Sequence, residues 1–547
     1  MPTPSTSTLP IDAFPTWARF NDVDFINAKL QETKGKGIGI VALSPGSTKA
    51  AATEDRTNAT NLRHAESNTS EEKHSDKPGV GTQQQSQNTK PFLRVPHDLV
   101  LSASTVEEYT KVDQNFRQLI DTVGHQSTRG DIMIYLLTHL ILSSRGVSSA
   151  RGPASTPWTE YLKFLPRDVP VPTMWSEVER ALLQGTSLET ALEAKFLALH
   201  KEFEDLNEKS SELAFWNSLF WEKSTVTIQD WILVDAWYRS RCLELPRAGH
   251  AMVPGLDMAN HAHHPTAYYD EDDKDNVVLL VRPGTEVSAG EEVNISYGEK
   301  TPAEMLFSYG FIDSESAVEG LTLPVKVLPD DPLGKAKLHI FGGSPSLKLS
   351  RSDGEVSWQC PFAYLMCLNE EDGLEFKVLQ VEDGRRELKL FWQEEDVTAQ
   401  ANHFEDLIEN HPLCQIFRLR VVSVLHEVVS SHLEELSSEI SHDQLEPLLQ
   451  AGLVRDECLQ AALKLRGIET SVLESAASAL DKQVRNSKRW IVKVRTRGMS
   501  LGTSTSQVVS KIERMIGMLK SASLPLFLHM NKDMTGQRLL GVLPQIL

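Results

Sequence analysis

Leu188, Leu192, Phe196, Leu199, Phe203 and Leu206 recur at steps of 4, 4, 3, 4 and 3. Such spacing lines one face of a helix and predicts an amphipathic helix there. The same period joins Phe116, Leu119, Ile120 and Val123. The stretch 132–142 is apolar apart from Thr138 and His139 and predicts a buried helix. Ser176 stands three residues before Glu179, the spacing of a capping box at a helix start. Helical texture therefore fills about 106–235, broken by a Ser/Gly/Arg-rich loop at 144–157. The flanks read differently. Short apolar runs at 39–43, 92–95 and 99–101 predict strands. So does 277–281, which stops at Pro283-Gly284; Val287 then leads through the turn signal Ala289-Gly290 into an expected strand at 293–297. The acidic run 270–276 reads as a solvated hairpin tip, with a substrate-facing role as the alternative.

Past Leu321 comes a mixed segment and then helices. Three helical stripes are visible: Phe417, Val421, Val424, Val428 and Leu433; Val472, Ala476, Leu480 and Val484; and Val508, Ile512, Met515 and Leu519. They predict a helical C-terminal domain over 320–547. Residues 46–90 hold only Leu62 and Val80 as large apolar side chains, too few to offset the entropy of ordering, and are expected to be a disordered insertion. Because it parts two strands, it interrupts one domain, 20–315, instead of separating two. Residues 1–19 are expected to be a disordered N-terminus. The fold class expected is α+β: short strands with a helical insert, followed by an all-α C-terminal domain.

Charge narrows the partners. The 547 residues carry 55 Lys+Arg against 75 Asp+Glu, a net charge of −20. Nucleic-acid phosphate is a poor ligand for such a chain, and a basic protein segment a favourable one. The five cysteines are scattered with no CxxC pair, which excludes a disulfide framework and a Cys-rich zinc site. No apolar signal segment begins the chain, and no apolar run approaches the ~20 residues that span a bilayer. A monomer in the reducing cytoplasm or nucleus, without membrane contact, is expected, and the sequons at Asn58 and Asn68 are then chance matches.

Candidate chemistry gathers in a few places. Gly35-Lys36-Gly37-Ile38-Gly39 is either a tight turn or a backbone that lets a ligand approach without a Cβ in the way. Asn260 and His261, within Asp257-Met258-Ala259-Asn260-His261, are either a surface turn, buried hydrogen-bonders, or a hydrogen-bonding edge for a ligand. His261, His263 and His264 lie close together, but no cysteine or well-spaced carboxylate completes a metal site. Arg241 in Arg239-Ser240-Arg241 is a helix-surface cation or a fork for a carboxylate. Tyr297 in Ile295-Ser296-Tyr297-Gly298 is a core residue or a reactive phenol, and Ser308-Tyr309-Gly310-Phe311 follows.

Taken in order, these pieces resemble a SET-domain methyltransferase of the split-SET group, which includes the RuBisCO large-subunit lysine methyltransferase and the ribosomal-protein and SETD-type enzymes. Leu165-Pro166, Trp175 and Gly185-Thr186 in the helical insert fit the same pattern. The resemblance covers 20–315 well, and the C-terminal domain by helical character only. It implies that Lys36, Gly37, Ile38, Arg241, Asn260, His261, Tyr297 and Phe311 bind S-adenosylmethionine. It also implies that Asp257 and Tyr309 face the substrate and that Tyr297 is catalytic. Two positions depart from the group: Lys36, where many members carry an acid, and Ala262, where Ser often follows Asn-His. The activity implied is methylation of a lysine in a non-histone protein such as a ribosomal protein or translation factor, held by the C-terminal domain. Protein-histidine methylation, a SET-like scaffold without catalysis, and a helical adaptor are the alternatives.

Overall fold

The computed structural model describes residues 8–44, 46–47, 91–143, 153–222, 225–315, 319–352, 354–380, 385–437 and 449–496. The expected disordered insertion, apart from Gly46-Ser47, most of the 144–157 loop and the stripe Val508 to Leu519 lie outside these residues.

The chain enters through a helix. Residues 1–19 were expected to be a disordered tail, but Phe14–Phe20 is helical, with Phe14 and Trp17 buried. Phe14 packs edge-on to Phe25 and Phe164, and Trp17 lies 5.1 Å from Tyr161. Aromatic side chains three residues apart share a helix face, and the polar composition upstream hides that signal.

An antiparallel hairpin follows, Ala28–Thr33 paired with Gly37–Ala42. A four-stranded antiparallel sheet orders Asp24–Phe25, Leu93–Val95, Val277–Val281 and Ala267–Glu271. The acidic run forms the tip of its last hairpin, where Asp272 accepts from the amides of Lys274 and Asn276. Residues 293–297 form no regular strand. The backbone of 291–297 instead bonds on two sides: Val293 N–H donates to Ile40 O, and Ile295 N–H to Asn260 O. Single bridges join Val41 to Glu292 and His261 to Ile295. A run squeezed between two non-consecutive segments cannot build a ladder with either.

The insert runs from Ala103 to Arg241. It includes the wholly buried middle of Thr128–Ser143, the long helix Ser187–Ser211, and Ile228–Arg241, started by a Thr227–Asp230 capping box. The Ser176–Glu179 capping box is formed as well. One hydrophobic core joins the N-terminal helix, strands and insert; a second spans Leu321 to Leu480. The C-terminal part is helical in its second half, in Cys414–Ser437 and Asp456–Thr496. Its first half adds what "all-α" leaves out: two three-stranded antiparallel sheets, 319–359 and 374–396.

A third cluster joins the halves. Trp175, Leu182, Leu183, Leu188 and Leu192 of the insert meet Leu306 and Ile312 and then Cys458, Leu459, Ala462 and Leu465 of the last helix. Arg455 rivets its edge: Nε and Nη2 donate to Glu179 at 2.8 and 3.0 Å, and Nη1 to both oxygens of Asp168 at 2.9 and 3.0 Å. Burial alone would raise the Glu179 pKa, but hydrogen bonds from Arg455 and from backbone amides outweigh it and bring it to about 2. An acid depressed in the folded state stabilises above its unfolded pKa of ~4.3 and loses that contribution as pH falls towards the folded value. Arg455→Met strands a carboxylate with 4% side-chain exposure, so a cost of ~3 kcal/mol is expected near neutral pH. Melting of both proteins across pH 2–7 checks this: the gap should close as pH approaches 2, and a gap independent of pH would count against it.

Candidate active site

The site is assembled at the early hairpin. Thr33 pairs with Gly37, so Lys34, Gly35 and Lys36 make the turn, and Gly35 and Gly37 have φ of +74° and +75°. A Cβ on Gly37 would meet nothing within 4 Å. The turn reading thus holds, and the backbone at Gly37 is open on the side where a Cβ would stand. Gly39 is the opposite case: a Cβ there would lie 2.6 Å from Glu292 Oε1 and 2.7 Å from Asn260 Nδ2. The missing side chain lets these two groups close against the strand.

Asn260 Nδ2 donates to Glu292 Oε1 at 2.6 Å and to Thr33 Oγ1 at 3.2 Å. Lys36 reaches across from the turn, with Nζ 3.5 Å from Glu292 Oε2 and 3.4 Å from the His261 carbonyl. Ile38 is half-buried against the main core. Lys36 Nζ thus crosses from the Gly-rich run to the Asn-His loop, and a carboxylate on the facing segment accommodates the cation.

His261 is clamped from both ring nitrogens. Nδ1 accepts from the Tyr297 amide at 3.1 Å, and Nε2 lies 3.4 Å from Asp313 Oδ2. Burial lowers its pKa, and the hydrogen bond and charge of Asp313 only partly offset this. Tyr297 turns its hydroxyl inward and donates to the Ala259 carbonyl at 2.8 Å. Burial raises the phenol pKa, with Arg241 pulling it partly back, so the group stays protonated at neutral pH.

Aromatic rings cluster beside His261 and Tyr297. The Tyr297 ring centroid lies 4.5 Å from Tyr309 and 6.4 Å from Phe311, and His261 is 6.0 Å from Phe311. The helix Pro302–Tyr309 starts with a Thr301–Glu304 capping box and ends at Gly310 in the left-handed region. A Cβ on Gly310 would lie 2.6 Å from the Pro170 backbone. That turn sends Tyr309 and Phe311 to the same rim. Burial pushes the Tyr309 phenol up to about 12, helped by Tyr269 and Cys242 beside it.

Arg241 lies at the end of its helix, with Nη1 donating to the Asp257 carbonyl at 2.9 Å. Its Nε is buried with no hydrogen-bond partner among the described residues. Such an atom lacks an acceptor that an anionic ligand can provide. Asp257, expected to face substrate, lies beneath the site instead: its side chain has no exposure. It accepts from the Tyr161 hydroxyl and, at 3.1 Å, from the Gly255 amide, and its Oδ2 is 3.6 Å from Arg241. Burial raises its pKa against the pull of Arg241. The physical role of Asp257 is to seat Arg241 and the turn at Gly255.

Lys36, Gly37, Asn260, His261, Tyr297, Tyr309, Phe311 and Arg241 are therefore neighbours, drawn from five separate stretches. Glu292, Asp313 and Tyr161 complete the site and were missed. Glu292 sits in the pair Glu291-Glu292 beside a turn, and Asp313 in the polar residues after Phe311, and neither carries a pattern. Among the described residues no group of His, Cys, Asp and Glu could hold a metal ion, and His263 faces Asp313 at 3.7 Å. A groove lined by Trp175, Phe196, Leu197 and Leu453 lies at the junction of the insert and the last helix and shares no residue with the site.

No family model matches the chain. The SET domain-containing protein 8 of Schizosaccharomyces pombe is 28% identical over 350 residues, 62% of this chain and 76% of that protein. The chloroplastic [fructose-bisphosphate aldolase]-lysine N-methyltransferase of Arabidopsis thaliana is 29% identical over 201 residues, 34% of this chain and 39% of the relative. The actin-histidine N-methyltransferase of Danio rerio is 25% identical over 241 residues, 41% of this chain and 39% of the relative. The last two alignments thus span well under half of those relatives. Among solved structures, Rubisco LSMT bound to AdoMet superposes with a TM-score of 0.60 at 17% identity, covering 92% of this chain and all of that one. The SET domain of LSMT bound to lysine and AdoHcy gives the same TM-score at 18% identity. At such identity the likeness establishes the fold.

Proposed function

We propose that this chain, which has the fold of LSMT and is similar to SET-domain methyltransferases, methylates a lysine side chain of a protein, with S-adenosylmethionine as donor. The observation that carries the reading is the meeting of the Gly-rich turn, through Lys36, with Asn260-His261 and Tyr297 beside one cluster of aromatic rings.

The residues present suit the donor. Arg241 Nε, buried and unpaired, matches a carboxylate. The open face at Gly37 admits a ligand against the backbone. Lys36, Ile38, Asn260, His261 and Phe311 would line the same ligand. Bound S-adenosylmethionine supplies an electrophilic methyl on a sulfonium. The chain's own residues prepare the acceptor. A lysine has a pKa of ~10.4 in water and must lose a proton before it attacks. Tyr297, Tyr309 and Phe311 strip water from the ammonium and so favour its neutral form. The Tyr297 hydroxyl, held at the Ala259 carbonyl, supports in-line placement of the nitrogen. The net charge of −20 favours a basic protein segment. The substrate class we favour is a non-histone protein such as a ribosomal protein or translation factor. It would be held by the C-terminal domain of a monomeric enzyme in the cytoplasm or nucleus, without direct binding to nucleic acid or membrane. No described helix is long and apolar enough to cross a membrane.

The experiment is incubation of the purified full chain with labelled S-adenosylmethionine and a cell lysate, followed by mass spectrometry of the labelled protein. Label on lysine of a discrete non-histone band is expected. Label on histidine would replace lysine as the acceptor, as the alignment with an actin-histidine N-methyltransferase makes worth checking. Absence of label together with absence of calorimetric S-adenosylmethionine binding would leave a scaffold.

A further inference from the structure

Polar contacts, joined through the backbone of 312–314, link the C-terminal helix to Tyr297. Lys464 Nζ donates to the Ile312 carbonyl at 3.0 Å and to Ser314 Oγ at 2.5 Å, gripping the loop on both sides of Asp313. Asp313 Oδ1 accepts from the Glu315 amide at 3.0 Å, which orients the carboxylate. Its Oδ2 faces His261 Nε2 at 3.4 Å, and His261 Nδ1 accepts from the Tyr297 amide at 3.1 Å. A backbone amide can only donate. His261 Nδ1 must therefore carry a lone pair, and the ring proton of the neutral imidazole must sit on Nε2, toward the carboxylate. The side chains are well covered, His261 with 7% and Asp313 with 14% exposure. Nothing else among the described contacts of Nε2 would select that tautomer.

We propose that Asp313 is a positioning residue of the methyl-transfer site: it holds His261 as the Nε2–H tautomer so that Nδ1 anchors the Tyr297 backbone, and Lys464 ties this setting to the C-terminal domain. The proposal rests on the reading of Tyr297 as the reacting-site tyrosine. It makes the geometry of the phenol depend on docking of the last helix, so seating of the C-terminal domain and readiness of the site are linked. Protonation of His261 would place a hydrogen on Nδ1 and break the bond to Tyr297. The groups that face this ring are Asp313, His263 and Lys36; the carboxylate favours the cation, and Lys36 and His263 oppose it.

The test uses the full-length protein with 15N-labelled histidine. Wild type at pH 7.5 should show one imidazole, lost in His261→Gln, with nitrogen shifts of the Nε2–H form. Asp313→Leu should blur that signal into a tautomer mixture. It should also lower kcat by about tenfold while the S-adenosylmethionine Kd stays within about threefold, as expected for a small misplacement of a reacting group. Asp313→Asn keeps an acceptor oxygen and should restore most of kcat, and Lys464→Met should reproduce part of the kcat loss. A protonated or Nδ1–H His261 in wild type would overturn the proposal. So would full kcat in Asp313→Leu, or equal loss of kcat and cofactor binding in Asp313→Leu and Asp313→Asn, which marks a merely structural role. The tautomer is read without cofactor. A wild type with the expected imidazole but no methyl transfer would therefore count against the function and not against the hydrogen-bond setting.

Discussion

Tyr297→Phe is expected to bind S-adenosylmethionine within a few-fold of wild type and to transfer methyl groups at least ~100-fold more slowly, the scale on which a positioned hydroxyl acts at a reacting centre. The ring survives the change, so its contact with Tyr309 at 4.5 Å and the aromatic cluster persist. The hydroxyl is what disappears, and with it the hydrogen bond to the Ala259 carbonyl. That carbonyl belongs to the residue before Asn260, so the same hydroxyl links the aromatic wall to the Asn-His loop. A lost hydrogen bond of this kind costs ~1 kcal/mol of stability, too little to unfold the protein. Single-turnover kinetics with calorimetric binding separates the two effects. Near-normal turnover would remove Tyr297 from the reaction, and loss of cofactor binding with loss of folding would assign it to the scaffold.

The second large effect is expected at Asp235, which sequence analysis did not single out. Its carboxylate is fully buried and gathers three cations: Arg129 and Lys195 at 2.7 Å from Oδ1 and Arg239 at 3.3 Å from Oδ2. Arg239 also donates to Thr173 Oγ1 at 2.6 Å and to the Phe307 carbonyl, two residues before Tyr309. The cluster thus fixes the helix that carries Arg241 against the helix that carries Tyr309. Asp235→Ala leaves Lys195 and Arg239 without this carboxylate while Arg129 keeps Glu202 at 2.7 Å, and a loss of ~3 kcal/mol is expected. Asp235→Asn keeps the shape and should recover a minor part of it. Burial alone would raise the Asp235 pKa, but the three cations outweigh it and depress it. The stabilisation is then complete above the unfolded pKa of ~3.9 and is lost as pH falls further, through the depressed folded value. Denaturation midpoints of wild type and Asp235→Ala should differ by a constant amount from pH 5 to 8 and converge well below pH 4. A difference under ~1 kcal/mol at pH 7 would mean that the cations find other partners.

Much of the site was legible because its chemistry is concentrated in short strings. Asn260-His261, Ile295-Ser296-Tyr297-Gly298 and Tyr309-Gly310-Phe311 each place the needed groups within two to four residues. The helices of the insert were legible because their periodicity is strong, as in Leu188 to Leu206. The expected strand at 293–297 failed for a reason periodicity cannot carry: its partners are single residues on two segments, one about 250 residues earlier in the chain and one about 35. Asp257 was placed in the opening by resemblance, yet burial directs its carboxylate toward Tyr161 and Arg241. Glu292 and Asp313 look like ordinary surface acids, and only their partners make them otherwise.

By itself the sequence determined the main helices of the insert, where turns fall, and which short strings carry candidate chemistry, because local periodicity, capping and residue chemistry act over a few positions. Tertiary structure alone decided that Gly39 closes on Asn260 and Glu292, that Lys464 holds the loop around Asp313 while Asp313 faces His261, and that Asp235 collects its three cations. Apart from Asp235 with Arg239, four residues apart on one helix, those contacts join residues tens to hundreds of positions apart. Their strength comes from burial, which exists only once the chain has folded.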